Sequence, residues 1–291
     1  MTTPHAHVAG IVSSLPLETR WRPFTLRCYA GFWLVEFMLK AGFPVIHSVF
    51  NPRPTDVLLA SFPKSGTTWL KALSFAALRC SDHPPLAVDH PLRHRSPHDC
   101  VRFIEAEFDT GDEFEALPSP RLLATHLPYT LLPEAITASA GCRISQGFGV
   151  DAGSFTTIQD AFELFCQGRS PAGPQWQHAL RYWEESVKRP DKVLFLKYEE
   201  MLLDPERHLR KLAEFMGCGF SDEEEGSGVK RSSNLFGIKN ESFLRKGVAG
   251  DWSNHMTPEM AERLDKIVED ALQGSGLTFE SSSSSEIPSS W

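Results

Sequence analysis

One short stretch of this sequence constrains its fold more than any other. Asp56-Val57-Leu58-Leu59-Ala60-Ser61-Phe62 is an apolar run set off by the turn signals Pro52-Arg53-Pro54-Thr55, and it reads as a buried strand. It runs into Pro63-Lys64-Ser65-Gly66-Thr67-Thr68-Trp69, and Thr67 to Arg79, rich in Leu and Ala, reads as a helix. A strand joined to a helix by such a turn aims backbone N–H groups, hydroxyls, an ammonium and the positive end of a helix dipole at one point. That is an anion site, most naturally for a phosphate. Gly66 lets the backbone approach the anion closely. The turn is not a Walker A loop, because Lys64 precedes the only glycine, so Mg²⁺-dependent ATP hydrolysis is disfavoured. A turn capped by Ser or Thr without any ligand is the competing reading, and the added Lys and Gly count against it.

The rest of the chain repeats the alternation. Arg121 to His126 and Val193 to Tyr198 read as further strands, and Gln175–Lys188, Pro205–Met216 and Pro258–Leu272 as helices. Strands alternating with helices imply an α/β fold: a single P-loop-like domain with a central parallel sheet flanked by helices. Residues 1–20 read as a flexible lead-in, 21–279 as the domain, and 280–291 as a disordered Ser-rich tail. The aromatic-rich segment from Trp21 to Phe50 reads mainly as core. The 291 residues carry a net charge of −8 and are 41% hydrophobic. That balance argues against a nucleic-acid partner, which needs a basic footprint. The stretch from Ala30 to Val49 is interrupted by Glu36, Lys40, Pro44 and His47, so no membrane span is expected. The six cysteines form no C-x-x-C pair, and a cytoplasmic, reduced protein is expected. His90, His94 and His98 share an i,i+4 spacing but lie among prolines, which disfavours a metal site.

The turn Ser61-Phe62-Pro63-Lys64-Ser65-Gly66-Thr67-Thr68-Trp69 resembles the 5′-phosphosulfate loop of the cytosolic sulfotransferases, most closely the plant soluble type. Three further segments match that family in order: Thr125-His126-Leu127-Pro128-Tyr129 with Leu131-Leu132-Pro133, Leu196-Lys197-Tyr198-Glu199-Glu200-Met201, and Arg245-Lys246-Gly247-Val248-Ala249-Gly250-Asp251-Trp252. His98 after Pro97 also sits as in a loop of the plant enzymes. The resemblance implies transfer of a sulfuryl group from 3′-phosphoadenosine 5′-phosphosulfate (PAPS), as co-substrate and without a metal, to a small hydroxylated acceptor of phenolic, steroid-like or flavonoid-like type. It implies His126 as general base and Lys64 as the cation at the leaving oxygen. Ser65, Gly66, Thr67 and Thr68 would hold the 5′-phosphate, Trp69 and Tyr198 would contact adenine, and Arg245, Lys246 and Gly247 would hold the 3′-phosphate. Homodimers occur in parts of the family.

The chain departs from the family pattern at two places, near 145–159 and 228–234, where family-like sequence is missing. After Ile144 no residue matches the Arg and Ser that the family places on the 3′-phosphate. Loss of much of a core strand is expected there, and with it an impaired donor site. A relative that binds nucleotide or a small hydrophobic ligand without efficient transfer is therefore the alternative to an active enzyme. A nucleotide kinase of another P-loop type is a third reading, disfavoured by the position of Lys64.

Overall fold

The computed structural model describes residues 5, 7–84, 87–106, 112–139, 141–148, 157–219 and 251–279. Two sheets form. A small antiparallel one comprises β1 (Leu17–Glu18), β2 (Leu26–Tyr29) and β3 (Phe32–Val35). The main sheet comprises β4 (Val57–Ser61), β5 (Leu122–Thr125), β6 (Arg143–Phe148) and β7 (Val193–Lys197), all parallel, in the order β5-β4-β6-β7. Successive side chains of a strand point to opposite faces, and β4 shows it. Leu58 and Ala60 enter one core with Leu123, Ile144 and Tyr182, while Val57 and Leu59 enter another with Leu70, Leu73, Leu209 and Leu212. The Thr67–Leu78 and Pro205–Met216 helices cover that second face, and the Gln175–Lys188 helix contributes Tyr182 to the first. Each fully buried Leu contributes about 1.5–3 kcal/mol, so a strand buried on both faces is a fixed base for whatever its end carries.

Two expectations need correction. The first concerns the lead-in, which is packed over its described part. Val8 and Val12 are buried in the first core, and Leu17–Glu18 pairs with β2. The apolar spacing of Val8 and Val12 gave them a face to bury, and the β2–β3 hairpin supplies the partner. β3 is in turn hooked to the main domain, since the N–H of Trp33 donates to the Gly173 carbonyl at 2.8 Å and that of Ala172 to the Trp33 carbonyl at 2.7 Å.

The second concerns the strand expected to be lost after Ile144. β6 runs on to Phe148, with Ser145 paired to Leu59 and Leu194, and Gly147 to Ser61 and Leu196. A strand flanked on both sides satisfies its N–H and C=O groups through its neighbours' backbones whatever side chains it bears. Residues 149–156, the second departure at 228–234 and the tail from 280 lie outside the described residues.

Candidate active site

The site grows from the C-terminal ends of β4 and β5. Beyond Ser61 the chain turns through Lys64 at φ +67° and Gly66 at φ +81°. A Cβ on Gly66 would lie 2.7 Å from the Tyr198 ring, so the position needs glycine for its backbone angle and for this close approach. Gly66 is the N-cap of the Thr67–Leu78 helix, and no side chain caps that end. The first-turn N–H groups of Thr67, Thr68 and Trp69 therefore have no protein partner among the described residues, and they point where the dipole is positive. Lys64 stands exposed beside them. Ser61 Oγ and Thr67 Oγ1, 2.7 Å apart, bind the strand end to the first helical turn.

Trp69 is buried and meets Tyr198 edge to face, with ring centroids 5.7 Å apart. Its indole Nε1–H is buried without a protein acceptor. Buried polar groups are nearly always paired, so this orphan donor, the open N–H groups and the Gly66–Tyr198 contact fit a site that a nucleotide completes. The sequence-expected residues Lys64, Ser65, Gly66, Thr67, Thr68, Trp69 and Tyr198 thus come together. Arg245, Lys246 and Gly247 lie outside the described residues.

His126 follows β5 directly. Its Nδ1 lies 2.7 Å from the Ser61 carbonyl, which can only accept, so Nδ1 carries the hydrogen and Nε2 keeps its lone pair. Burial pushes its pKa down to about 4, and Lys71 and His98 push the same way against the Ser61 bond. The imidazole is neutral at pH 7, with its lone pair on Nε2.

Four supporting residues escaped the sequence reading. The backbone N–H of His126 donates to Glu105 Oε1 at 2.6 Å, and burial raises the Glu105 pKa to about 7. Phe103 lies against the His126 ring at 4.5 Å between centroids. His178, on the Gln175–Lys188 helix, bonds the His126 carbonyl through Nε2 at 3.2 Å and is held neutral by burial, its pKa pushed down to about 3. Lys71 is fully buried in the Thr67–Leu78 helix, and its ammonium donates to the Val101 carbonyl at 2.8 Å. Only Lys71 left a readable signal, as a lone charge inside an apolar helical run.

The three spaced histidines part company. His90 Nδ1 accepts from the Leu92 N–H, His94 Nε2 meets the Val88 carbonyl at 3.0 Å, and His98 turns to Thr68 and Lys71. A cleft of about 420 Å³ lined by His47, Tyr129, Arg181 and Glu185 takes in neither His126 nor the Lys64 loop.

A neutral imidazole stands beside an open helix N-terminus at the carboxyl edge of a parallel sheet, an arrangement suited to receiving an anionic group. The family model described as "Sulfotransferase domain" matches residues 54–144 and 148–276. Cytosolic sulfotransferase 5 of Arabidopsis thaliana is 37% identical over 309 residues, covering 92% of this chain and 95% of that one. Cytosolic sulfotransferase 16 of the same plant is 37% identical over 310 residues, covering 91% and 90%. The crystal structure of an Arabidopsis thaliana protein assigned as a steroid sulphotransferase superposes with a TM-score of 0.74 at 32% identity, over 93% of this chain and 94% of that one. Mouse sulfotransferase SULT7A1, complexed with PAP, superposes at 0.62 with 26% identity over 86% and 95%. The chain belongs to the sulfotransferase family, and by that membership it is a transferase of sulfuryl groups to small-molecule acceptors. No helix among the described residues is long and apolar enough to cross a membrane.

Proposed function

We propose that this chain moves a sulfuryl group from PAPS to the hydroxyl of a small phenolic, steroid-like or flavonoid-like acceptor in the cytoplasm. The observation that carries this reading is the lone pair of His126 Nε2 beside the open N–H groups of Thr67, Thr68 and Trp69. PAPS supplies an activated S–O bond to a phosphate leaving group. The acceptor oxygen bonds to sulfur as the bond from sulfur to the bridging phosphate oxygen breaks. His126 Nε2 takes the acceptor's proton, and the new imidazolium is steadied by its Nδ1–H bond to the Ser61 carbonyl. With so depressed a pKa, His126 takes that proton late, once the new S–O bond has drained charge from the oxygen. Lys64 meets the negative charge left on the bridging oxygen. Ser65, Gly66, Thr67 and Thr68 hold the 5′-phosphate, Trp69 and Tyr198 flank the adenine, and Arg245, Lys246 and Gly247 hold the 3′-phosphate. In-line transfer of this kind is mainly positioning and charge stabilisation, and no metal is needed in it.

Transfer of ³⁵S from labelled PAPS to a panel of phenols, steroids and flavonoids, abolished in His126→Ala, is the expected result. No transfer by the wild type to any of these acceptors overturns the reading. A second reading has its own support in the break of the family match at 145–147 and in the missing Arg and Ser after Ile144. The 309 aligned positions shared with the first relative take up only about 92% of 291 residues, so that relative carries segments this chain lacks. Hydrogen bonds to charged groups contribute about 1.5–3 kcal/mol each, and two fewer weaken donor binding about 10²–10⁴-fold. On that reading the chain is a weak binder, and thermal stabilisation by adenosine 3′,5′-bisphosphate without label transfer is its signature.

A further inference from the structure

Lys71, His98 and Thr68 form a chain of contacts running from the interior to the anion loop. Lys71 sits on the second turn of the Thr67–Leu78 helix with no exposure, and its Nζ reaches the Val101 carbonyl at 2.8 Å, His98 Nδ1 at 3.3 Å and the face of the Phe103 ring at 3.3 Å from the centroid. An ammonium only donates. His98 Nδ1 must therefore accept, which places the imidazole hydrogen on Nε2. That Nε2 lies 3.1 Å from Thr68 Oγ1, so Nε2–H donates to the hydroxyl oxygen. Thr68 has then used an oxygen lone pair on His98, and its own hydroxyl hydrogen remains to be given. His98 is held in this pose by stacking on Phe103, with centroids 5.8 Å apart and planes 22° apart, and by the capped turn Ser96–Cys100.

We propose that Lys71 and His98 are positioning residues that bias the Thr68 hydroxyl, by occupying one of its lone pairs, toward the anion loop as a hydrogen-bond donor. This rests on the reading of the loop as the seat of the donor's 5′-phosphate. A threonine hydroxyl left alone rotates and can present either a lone pair or its hydrogen, and a lone pair facing a phosphate oxygen is repulsive. With the Lys71–His98 chain in place one of the two lone pairs faces His98, so the hydrogen is excluded from that direction and is left for the two directions that include the anion loop. The buried ammonium also sets a positive charge behind the loop, where little water screens it. His98 remains neutral, because a proton on Nδ1 would face the ammonium of Lys71, and burial and Lys71 both lower its pKa.

The test is a double-mutant cycle read by calorimetric titration with adenosine 3′,5′-bisphosphate, beside the kcat and KM for PAPS. His98→Leu is expected to weaken nucleotide binding about tenfold, the size of one charge-assisted hydrogen bond, with the change in the KM for PAPS rather than in the acceptor KM. His98→Gln, whose amide can accept from Lys71 and donate to Thr68, restores most of the loss. In a Thr68→Val background His98→Leu has no further effect. Imidazole ¹⁵N shifts give an independent reading: His98 protonated at Nε2 in the wild type, and a mixture of tautomers in Lys71→Met. Additive losses in the cycle, His98→Gln no better than His98→Leu, or an unchanged tautomer in Lys71→Met overturns the proposal. A wild type that does not bind the nucleotide overturns the functional reading, and this one falls with it. A wild type that binds but shows an additive cycle overturns this one alone.

Discussion

The two ends of β4 treat charge in opposite ways. Before the strand, Asp56 is gripped by the guanidinium of a fully buried Arg121, Nε to Oδ1 at 2.9 Å and one terminal nitrogen to Oδ2 at 2.6 Å. The rest of that guanidinium is spent on the Asn51 carbonyl and on Glu115. After the strand, a few residues away, Lys64 stands exposed, three helical N–H groups are open and the Trp69 indole has no acceptor. One end is closed by its own side chains and holds the fold. The other keeps open donors among the described residues, and the proposed function has an anion complete them. Burial of charge alone therefore does not tell the two ends apart by role, whereas missing partners among the described residues distinguish the end assigned to the donor.

The comparison breaks most sharply at His126. His126→Ala is expected to lower kcat about 10²–10⁴-fold, the contribution of a general base, with little change in melting temperature. Retained turnover would remove the base from the open end. Arg121→Met acts at the closed end and strands the Asp56 carboxylate, with an expected cost of about 3–5 kcal/mol in urea unfolding. Arg121→Met with Asp56→Asn recovers part of that cost, and if it does not, the pair is no closed unit.

The pH dependence separates groups at the open end. His126 and His178 have pKa values near 4 and 3, below the ordinary 6.5, so the unfolded chain binds more protons between those values and stability falls as pH drops below about 6.5. Glu105 goes the other way. Raised from 4.5 to about 7, it binds more protons when folded, and its contribution is lost as pH rises from about 4.5 through 7. Chemical unfolding across pH 4.5 to 8 should show His178→Gln flattening the acid limb by about 3 kcal/mol at most, given 1.36 kcal/mol per pKa unit. Glu105→Gln should flatten the limb between pH 5 and 7. The smallest effect is at Gly66→Ala, where a strained backbone and a Cβ against Tyr198 are expected to cost about 1–2 kcal/mol. Most of it should appear as weaker nucleotide binding, with partial recovery in Gly66→Ala/Tyr198→Ala.

Much of this arrangement was legible in the sequence. β4, β5 and β7 each announce themselves as apolar runs, and the Gln175–Lys188, Pro205–Met216 and Pro258–Leu272 helices fall where their patterns place them. The loop from Ser61 to Trp69 and the Thr125-His126 pair carry their chemistry in consecutive residues. β6 was illegible beyond Ile144, because Ser145-Gln146-Gly147 has no strand propensity and is held by the backbones on either side. The β2–β3 hairpin was missed although Ala30 and Gly31, both at positive φ, mark its turn. Glu105, Phe103 and His178 reach His126 from segments 21, 23 and 52 residues away in the chain. No local pattern encodes such a meeting, which only the packed sheet creates.

The segment that delivers Phe103 and Glu105 also protects the molecule from its own kind. β5 is the outermost strand of its sheet, and such a strand is a template for another chain. Here the Ala124 N–H is taken by the Arg102 carbonyl at 2.8 Å and the Ala124 carbonyl by the Ile104 N–H at 2.9 Å. The border of the sheet is sealed by the same few residues that steady His126. A chain that sheds this strip, through proteolysis or a misplaced insertion, would lose the support of His126 and expose a sticky margin in one event.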